Sequence, residues 1–466
     1  MDFISSPQKS GAEEARQVVV VGGGAAGLVA GYDLQKKGFD VVVLEAQDYP
    51  GGRIRTIHAN GYHAESGASV VTDQEAETMG LLEELSVGPL IDLGLHGTDL
   101  FFGSRMVHLT RIDGRITSPR DAWSLLSFAA AMATSGTGAH FPRPSLLRGY
   151  RAALKAIQEE QAFLDYPYDP KARPGWDTST FAEFLNRFHP ELQPLVDLQL
   201  KVTAGEVSDR ISLFWGLVTF NWNVDGKFYW LDGGASGFPL ALARKLGDRL
   251  RLNCRVESVR EDGVVRARRG SESVESVLRA SAVILAVPPS AALRAVEGLS
   301  ARKRDALAEV QFGSYIVVHF VCRRRFWTSK IKAGYLNAAT TVFADILDST
   351  KGQAGQGGIL SCFVAGPEAR RLIDSPDGTV LCEVIRDLER VFPGAIHETI
   401  DCSITRWREA IPYFHTGYGE LIRELREPEG RFFFCGDYTQ GAGIQDAVVS
   451  GLRASGEVAK FLSTNP

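Results

Sequence analysis

VVVVGGGAAGLVAGYDLQKKGFDVVVLEA, residues 18–46, decides the fold class. Residues 18–21 are a continuous valine run, the pattern of a parallel strand buried on both faces. Gly22, Gly24 and Gly27 then fit G-x-G-x-x-G. The first glycine permits a tight turn, the second lets backbone approach a pyrophosphate, and the third lets a helix pack closely on the strand. A helix is expected over residues 25–37, aiming its positive N-terminal end at the phosphates, with Gly38 ending it. Residues 41–44 read as the second strand. Glu45 closes that strand where a carboxylate can accept from both adenosine ribose hydroxyls, and an acid there would repel the 2′-phosphate of NADP. Glycine-rich turns also occur without a ligand. The two flanking strands and Glu45 favour an adenine dinucleotide, without separating FAD from NAD.

The chain has 466 residues, too many for one ordinary core, so two domains or one elaborated fold are expected. With 44% hydrophobic and 23% charged residues and a net charge of -5, its composition is that of a soluble globular protein. Nothing in that balance suggests a nucleic-acid partner. Cys254, Cys322, Cys362, Cys382, Cys402 and Cys435 form no C-x-x-C pair, so reduced, mostly buried thiols are expected. Residues 1–16 read as a short disordered leader without an apolar signal segment. No apolar run is long enough to span a bilayer, and the expected location is cytoplasmic. Arg323, Arg324 and Arg325 read as a solvated strand edge.

Two further stretches separate the cofactors. In AQDYPGGRIRTIHANGYHAESGAS, residues 46–69, Gly51 and Gly52 allow close backbone approach. Arg53 adds a fixed cation that suits a pyrophosphate, and an NAD dehydrogenase needs neither feature. In GRFFFCGDYTQGAGIQDAVVSGLRASGEVAKFL, residues 430–462, a buried strand over 432–435 meets a turn at Gly436 and then Asp437. A helix from about Gln445 aims its N-terminus at an electron-rich ligand atom. With CRVESV (254–259) and AVILAVPPS (282–290), these motifs in this order resemble the flavin-dependent amine oxidase superfamily. Monoamine and L-amino acid oxidases, protoporphyrinogen oxidase and phytoene desaturases belong to it. The resemblance is sharp over 17–70 and 428–462, fair over 228–290 and faint between. It implies FAD contacts at Gly22, Gly24, Gly27, Glu45, Gly52, Arg53, Val256, Gly436 and Asp437, with Val256 acting through its backbone. It also places backbone N–H groups of Ile444 and Gln445 near the flavin pyrimidine edge. Gln47 departs from the pattern, since many amine oxidases have an arginine there against the adenine.

The implied architecture is α/β. A Rossmann-like FAD-binding domain would use residues 1–98, 228–298 and 424–466, and a discontinuous α+β substrate domain would use 99–227 and 299–423. Within the latter, a hairpin about Asp113-Gly114 and helices over 121–134, 144–164 and 180–200 are expected. Strands are expected in GSYIVVHFVCRRRFW (313–327) and GGILSCFVAG (357–366), and an amphipathic helix in DGTVLCEVIRDLERVF (377–392). RISLFWGLVTFNWNV, residues 210–224, reads as core or as an apolar pocket wall.

By the same resemblance, a substrate-domain strand should carry a lysine holding a water against flavin N5, and two aromatic rings should guide the amine. Here the lysine position falls on Val317, and Gly443 stands where one ring is expected. If Val317 faces the flavin, strand alternation puts Tyr315 and His319 on the same face, where either could supply a hydrogen bond or accept a proton. A core histidine bonded to backbone is the competing reading of His319. RWREAIPYFHTGYGE, residues 406–420, crowds Tyr413, Phe414, His415 and Tyr418 into a loop. That loop reads either as the second wall of the substrate site or as interdomain packing. His415 joins Tyr315 and His319 as a candidate catalytic base. Ser69-Val70-Val71 stand where L-amino acid oxidases place a carboxylate-binding arginine. Gly417-Tyr418 stand in the region of the cysteine that links flavin covalently, so FAD is expected to be non-covalent. No metal-ligand cluster is apparent. The resemblance implies hydride abstraction from a C–N or C–H centre of a medium-sized organic molecule, by amine oxidation or desaturation, with molecular oxygen as acceptor in an oxidase. The alternatives are a flavin-dependent non-redox enzyme, such as an isomerase or cyclase, and a dinucleotide-binding regulatory module. Peripheral membrane contact stays open.

Overall fold

A computed structural model describes residues 17–93, 98–102, 105–109, 144–164, 166, 168–221, 227–270, 275–332 and 334–464. The leader, the hairpin about Asp113-Gly114, the helix over 121–134 and residues 222–224 of the apolar stretch lie outside the described residues.

The valine run forms β1, Gln17–Val21, and Val18, Val19 and Val20 are fully buried. A strand buried on both faces needs neighbours on both edges, and β1 has them. It pairs in parallel with β2, Asp40–Leu44, and with Ala282–Leu285. Leu250–Arg251 and Phe432–Phe434 complete a five-stranded sheet, pairing in parallel at its two edges. The helix α1, Ala25–Lys36, joins β1 to β2, and Gly38 at φ +84° ends it in a conformation that favours glycine. The C-terminal helix Ile444–Thr464 lies against α1. Only a glycine allows this contact at position 451, since a Cβ there would sit 2.4 Å from the carbonyl oxygen of Ala26.

Among the described residues, the second main sheet has seven strands. Their order is Thr399–Pro412, Phe312–Cys322, Gly358–Ala365, Asp345–Asp348, Tyr335–Ala338, Thr98–Phe102 and Arg105–Leu109. Strand alternation splits its side chains between two faces. Ile316, Val318, Phe320, Leu360, Cys362 and Val364 pack with buried residues of the helices Pro367–Leu372 and Asp377–Val391. Tyr315, Val317 and His319 occupy the other face, where Ser66 meets both His319 and Trp407.

A helical layer covers the remaining side. The single helix expected over 180–200 is two helices, Phe181–Asn186 and Leu192–Thr203. Thr180 and Glu183 form a capping box that starts the first. Pro190 lies between the two and cannot donate to a helix ladder. The helix expected over 144–164 ends at Gln161. Ile211, Phe214, Trp215 and Leu217 are buried, which makes the described part of the apolar stretch core. All six cysteines are free, and four of them are buried. Among the described residues, no helix is long and apolar enough to cross a membrane.

Candidate cofactor and active site

The turn after β1 draws three distant segments together. Gly22 adopts φ +106°, and a Cβ there would lie 2.5 Å from the carbonyl oxygen of Ala286. A Cβ at Gly27 would lie 2.0 Å from the carbonyl oxygen of Gly22, which shows how tightly α1 seats on the turn. Gly24 differs, because a Cβ there would meet nothing within 4 Å. It precedes α1 without a side-chain cap, so the first-turn N–H groups have no acceptor within the helix. Gly51 donates to the carbonyl of Gly23 at 2.8 Å, and Gly52, at φ +59°, faces the Cα of Gly24. Glu45 is buried, and its carboxylate accepts from Gly23 N–H at 2.6 Å and Gln47 N–H at 2.8 Å. Its backbone carbonyl accepts from Cys254 at 2.7 Å, which brings the strand Cys254–Val259 and Val256 alongside the end of β2. Open helix N–H groups, facing glycines and a buried carboxylate are a donor and acceptor set that suits a dinucleotide.

Arg53 ties this cradle to the other end of the chain. Its Nη2 lies 2.6 Å from Asp437 Oδ1, and Nη1 donates to the carbonyl of Ala410 at 2.7 Å. Gly436, at φ +139°, donates to Ser450 Oγ at 3.0 Å, fixing the turn against the C-terminal helix. That helix begins at Ile444, one residue earlier than expected. The Gln445 side chain accepts from Thr78 Oγ1 at 2.7 Å and donates to Glu77, so the helix start is tied to Ala76–Glu84. Its backbone N–H and that of Ile444 belong to the first turn and have no acceptor within the helix. Next to them Asp446 accepts from Ala442 N–H at 3.0 Å. Burial pushes Asp446 up to about 7 and the neighbouring Glu75 up to about 8.

The candidate bases occupy two places. Tyr315 and His319 lie two and four residues along the strand Phe312–Cys322 from Gly313 and Tyr315 respectively, on the face turned to Ser66. The Tyr315 hydroxyl donates to the backbone carbonyls of Lys201, at 2.7 Å, and Val202. His319 is fully buried, but its partners are hydroxyls rather than the backbone anticipated for a core histidine. Ser66 Oγ lies 3.0 Å from Nε2, Ser361 Oγ lies 2.7 Å from Nδ1, and Ser349 Oγ lies 2.6 Å from Ser361 Oγ. Burial lowers His319 to about 4, so the ring is neutral at physiological pH. His415 follows Pro412, which is paired with Phe312, and its ring meets Tyr418 edge-on at 5.5 Å. There Phe414 stacks on Tyr418 at 3.9 Å and on Trp215 at 4.4 Å, within the main aromatic core. Trp407 was not singled out by its sequence, yet it pairs with Tyr315 across the sheet and donates from Nε1 to the Ser66 carbonyl at 2.5 Å. Strand alternation around Tyr315 was the available signal, but only the register identifies the partner.

Comparison with known proteins follows the same lines. Residues 25–459 match the family described as flavin containing amine oxidoreductase. Amine oxidase [flavin-containing] B of Cavia porcellus is 26% identical, the alignment covering 96% of this chain and 87% of that protein. Flavin-dependent L-tryptophan oxidase of Lentzea aerocolonigenes is 25% identical, with 94% and 97% covered. Among solved structures, putrescine oxidase bound to putrescine superposes with a TM-score of 0.76 at 22% identity, covering 96% of this chain and 99% of the other. Cyclohexylamine oxidase from Brevibacterium oxydans gives 0.76 at 19% identity, covering 96% and 100%.

Proposed function

The chain belongs to the flavin-containing amine oxidoreductase family and is a FAD-dependent oxidoreductase; from that premise we propose that it removes hydride from the carbon beside nitrogen in a medium-sized amine, with molecular oxygen as final acceptor. When bound, FAD supplies the two-electron acceptor. In this reading Gly22, Gly24, Gly27 and Gly52 let backbone close on the pyrophosphate, and Arg53 and the first turn of α1 neutralise it. Glu45 holds the ribose, the Val256 backbone meets the adenine, and the turn at Gly436 and Asp437 leads to Ile444 and Gln445 at the pyrimidine edge. Residues 1–98, 228–298 and 424–466 make the cofactor domain, and 99–227 and 299–423 the substrate domain.

The observation that carries the reading is the sheet face of Tyr315, Val317 and His319, turned towards the segment that follows Arg53. Such a wall holds substrate and excludes water from a hydride transfer. Tyr315 and His319 act here as positioning residues, because carbonyls and serine hydroxyls already engage their polar atoms. His415 keeps Nε2 without a hydrogen-bond partner among the described residues, and its edge-on contact with the buried Tyr418 favours packing over catalysis. Two relatives named as amine or amino acid oxidases support a C–N centre over desaturation of a C–C bond. We also propose that FAD is held non-covalently, that the enzyme works in the cytoplasm, and that its partners are small molecules rather than nucleic acid.

The test is anaerobic titration of the purified yellow protein with amines and with polyunsaturated or cyclic substrates. Bleaching by amines, followed by peroxide when air is admitted, is expected. Bleaching by unsaturated substrates alone would favour desaturation, and recolouring without any acceptor would favour the non-redox class. Acid precipitation should leave all of the colour in the supernatant.

A further inference from the structure

Asp446 and Glu75 are both buried against the start of the C-terminal helix Ile444–Thr464. Asp446 stands in its first turn, where one carboxylate oxygen accepts from Ala442 N–H at 3.0 Å and the other from the Tyr166 hydroxyl at 3.3 Å. The loop before the helix closes over it, since a Cβ at Gly441 would lie 2.4 Å from the carboxyl carbon. Glu75 immediately precedes the helix Ala76–Glu84, which Glu77 and Thr78 tie to Gln445. Glu75 is only 5% exposed, and its Oε2 has no hydrogen-bond partner among the described residues. Gln440, 3% exposed, accepts from Arg426 at 2.9 Å. Its amide nitrogen, beside Tyr166, is also without a partner among the described residues.

The charged groups around this pair are engaged elsewhere. Asp437 pairs with Arg53, Arg453 pairs with Glu457, Arg426 donates to the Thr439 carbonyl at 2.6 Å, and Glu77 accepts from Gln445. Two like charges enclosed together disfavour joint ionisation, and burial pushes Asp446 up to about 7 and Glu75 up to about 8. The pair therefore holds a proton at neutral pH. Tyr166 is exposed and touches Asp446, which gives the pair a route to protons from solvent. A buried acid short of partners destabilises a fold, and such costs concentrate where function uses the group. Hydride from a substrate brings two electrons and one proton to the flavin, and leaves added negative charge on its pyrimidine side. We propose that Glu75 and Asp446 together take up one further proton from solvent as the flavin is reduced, coupling the cofactor's potential to pH. This inference rests on the placement of Ile444 and Gln445 at the pyrimidine edge proposed above.

The experiment photoreduces the flavin-bound protein anaerobically against reference dyes, from about pH 6 to about pH 9, and reads the midpoint potential without any amine. Glu75→Gln, Asp446→Asn and the double variant are compared with wild type. Above about pH 7 the wild-type reduction equilibrium should fall up to about tenfold per pH unit more steeply than that of the double variant, or about 30 mV for a two-electron couple. The two curves should meet at the acid end, with wild type the lower at the alkaline end. Parallel curves would overturn the proposal, as would loss of flavin from all three variants. If the wild type shows the steeper slope and yet no amine bleaches it, the carboxyl pair stands and amine oxidation falls. A wild-type protein that retains no flavin would refute the flavin placement and this proposal together.

Discussion

Replacing His319 with glutamine gives a quantitative test of the buried serine–histidine chain. Burial takes His319 from 6.5 to about 4, so the folded protein keeps the ring neutral where the unfolded chain is already protonated. The folded value is the depressed one. Its contribution is therefore intact above about 6.5 and is lost as the pH falls towards about 4, because the unfolded state binds the proton first. At about 1.4 kcal/mol for each tenfold in proton affinity, this window carries about 3 kcal/mol. Glutamine can still donate to one serine and accept from another, but it does not titrate. The substitution should cost about 1–2 kcal/mol at alkaline pH for poorer hydrogen bonds. The wild-type advantage should then shrink by about 3 kcal/mol and reverse in the acid range. Buried carboxyls, Glu65, Glu75, Asp345 and Asp446 among them, act with the opposite sign. Glu65 and Asp446, raised to about 7, and Glu75, raised to about 8, contribute most below their unfolded value of 4.5 or 3.8 and lose it as the pH rises through 7 to 8. Only the difference between wild type and His319→Gln removes them. Urea unfolding of the flavin-bound proteins across this range measures that difference, and a value flat to within about 0.5 kcal/mol would refute the reasoning.

Two glycines make a contrasting pair. A Cβ at Gly27 would lie 2.0 Å from a carbonyl oxygen, so Gly27→Ala should cost about 3 kcal/mol or more and lose flavin. Gly24→Ala meets nothing within 4 Å, so its Tm without flavin should match wild type while flavin affinity falls; equal Tm losses in the two variants would contradict this. Arg53→Gln breaks the 2.6 Å pair with Asp437. At about 1.5–3 kcal/mol for a charge-assisted bond, FAD should bind roughly ten- to a hundredfold more weakly, measured by fluorescence on dilution. Phe414→Ala removes stacking at 3.9 Å and 4.4 Å and should cost about 3–5 kcal/mol, with the limiting rate of flavin reduction unchanged in the folded fraction. A slower rate with an intact Tm would instead make the aromatic loop a substrate wall.

Local rules made β1, the glycine turn, α1 and β2 readable, because a valine run, three spaced glycines and a closing acid all lie within thirty or so residues. The same rules joined residues 180–200 into one helix, although Thr180, Glu183 and Pro190 carried the signals of a start and a break. Alternation placed Tyr315, Val317 and His319 on one face, and it could not say what faces them. The hydroxyl of Ser66 reaches His319 across 253 residues, and serine has no periodic signature that would announce such a contact. Trp407 comes opposite Tyr315 only because the pairing shifts between Gly313 and Tyr315. Nothing in the sequence marks Asp345, which is buried beside Phe363 in the neighbouring strand.

The bond between Arg53 and Asp437 joins residues 384 positions apart. A ribosome adding roughly 5–20 residues per second needs roughly 20–80 s to pass from one to the other. Throughout that interval β1, β2 and α1 exist without the strand Phe432–Phe434 or the helix that covers α1. The nascent chain therefore carries an apolar helix flank and an unpaired strand edge that holding chaperones can occupy. If Asp437 and the start of the C-terminal helix hold the cofactor as proposed, loading waits until those residues have been made.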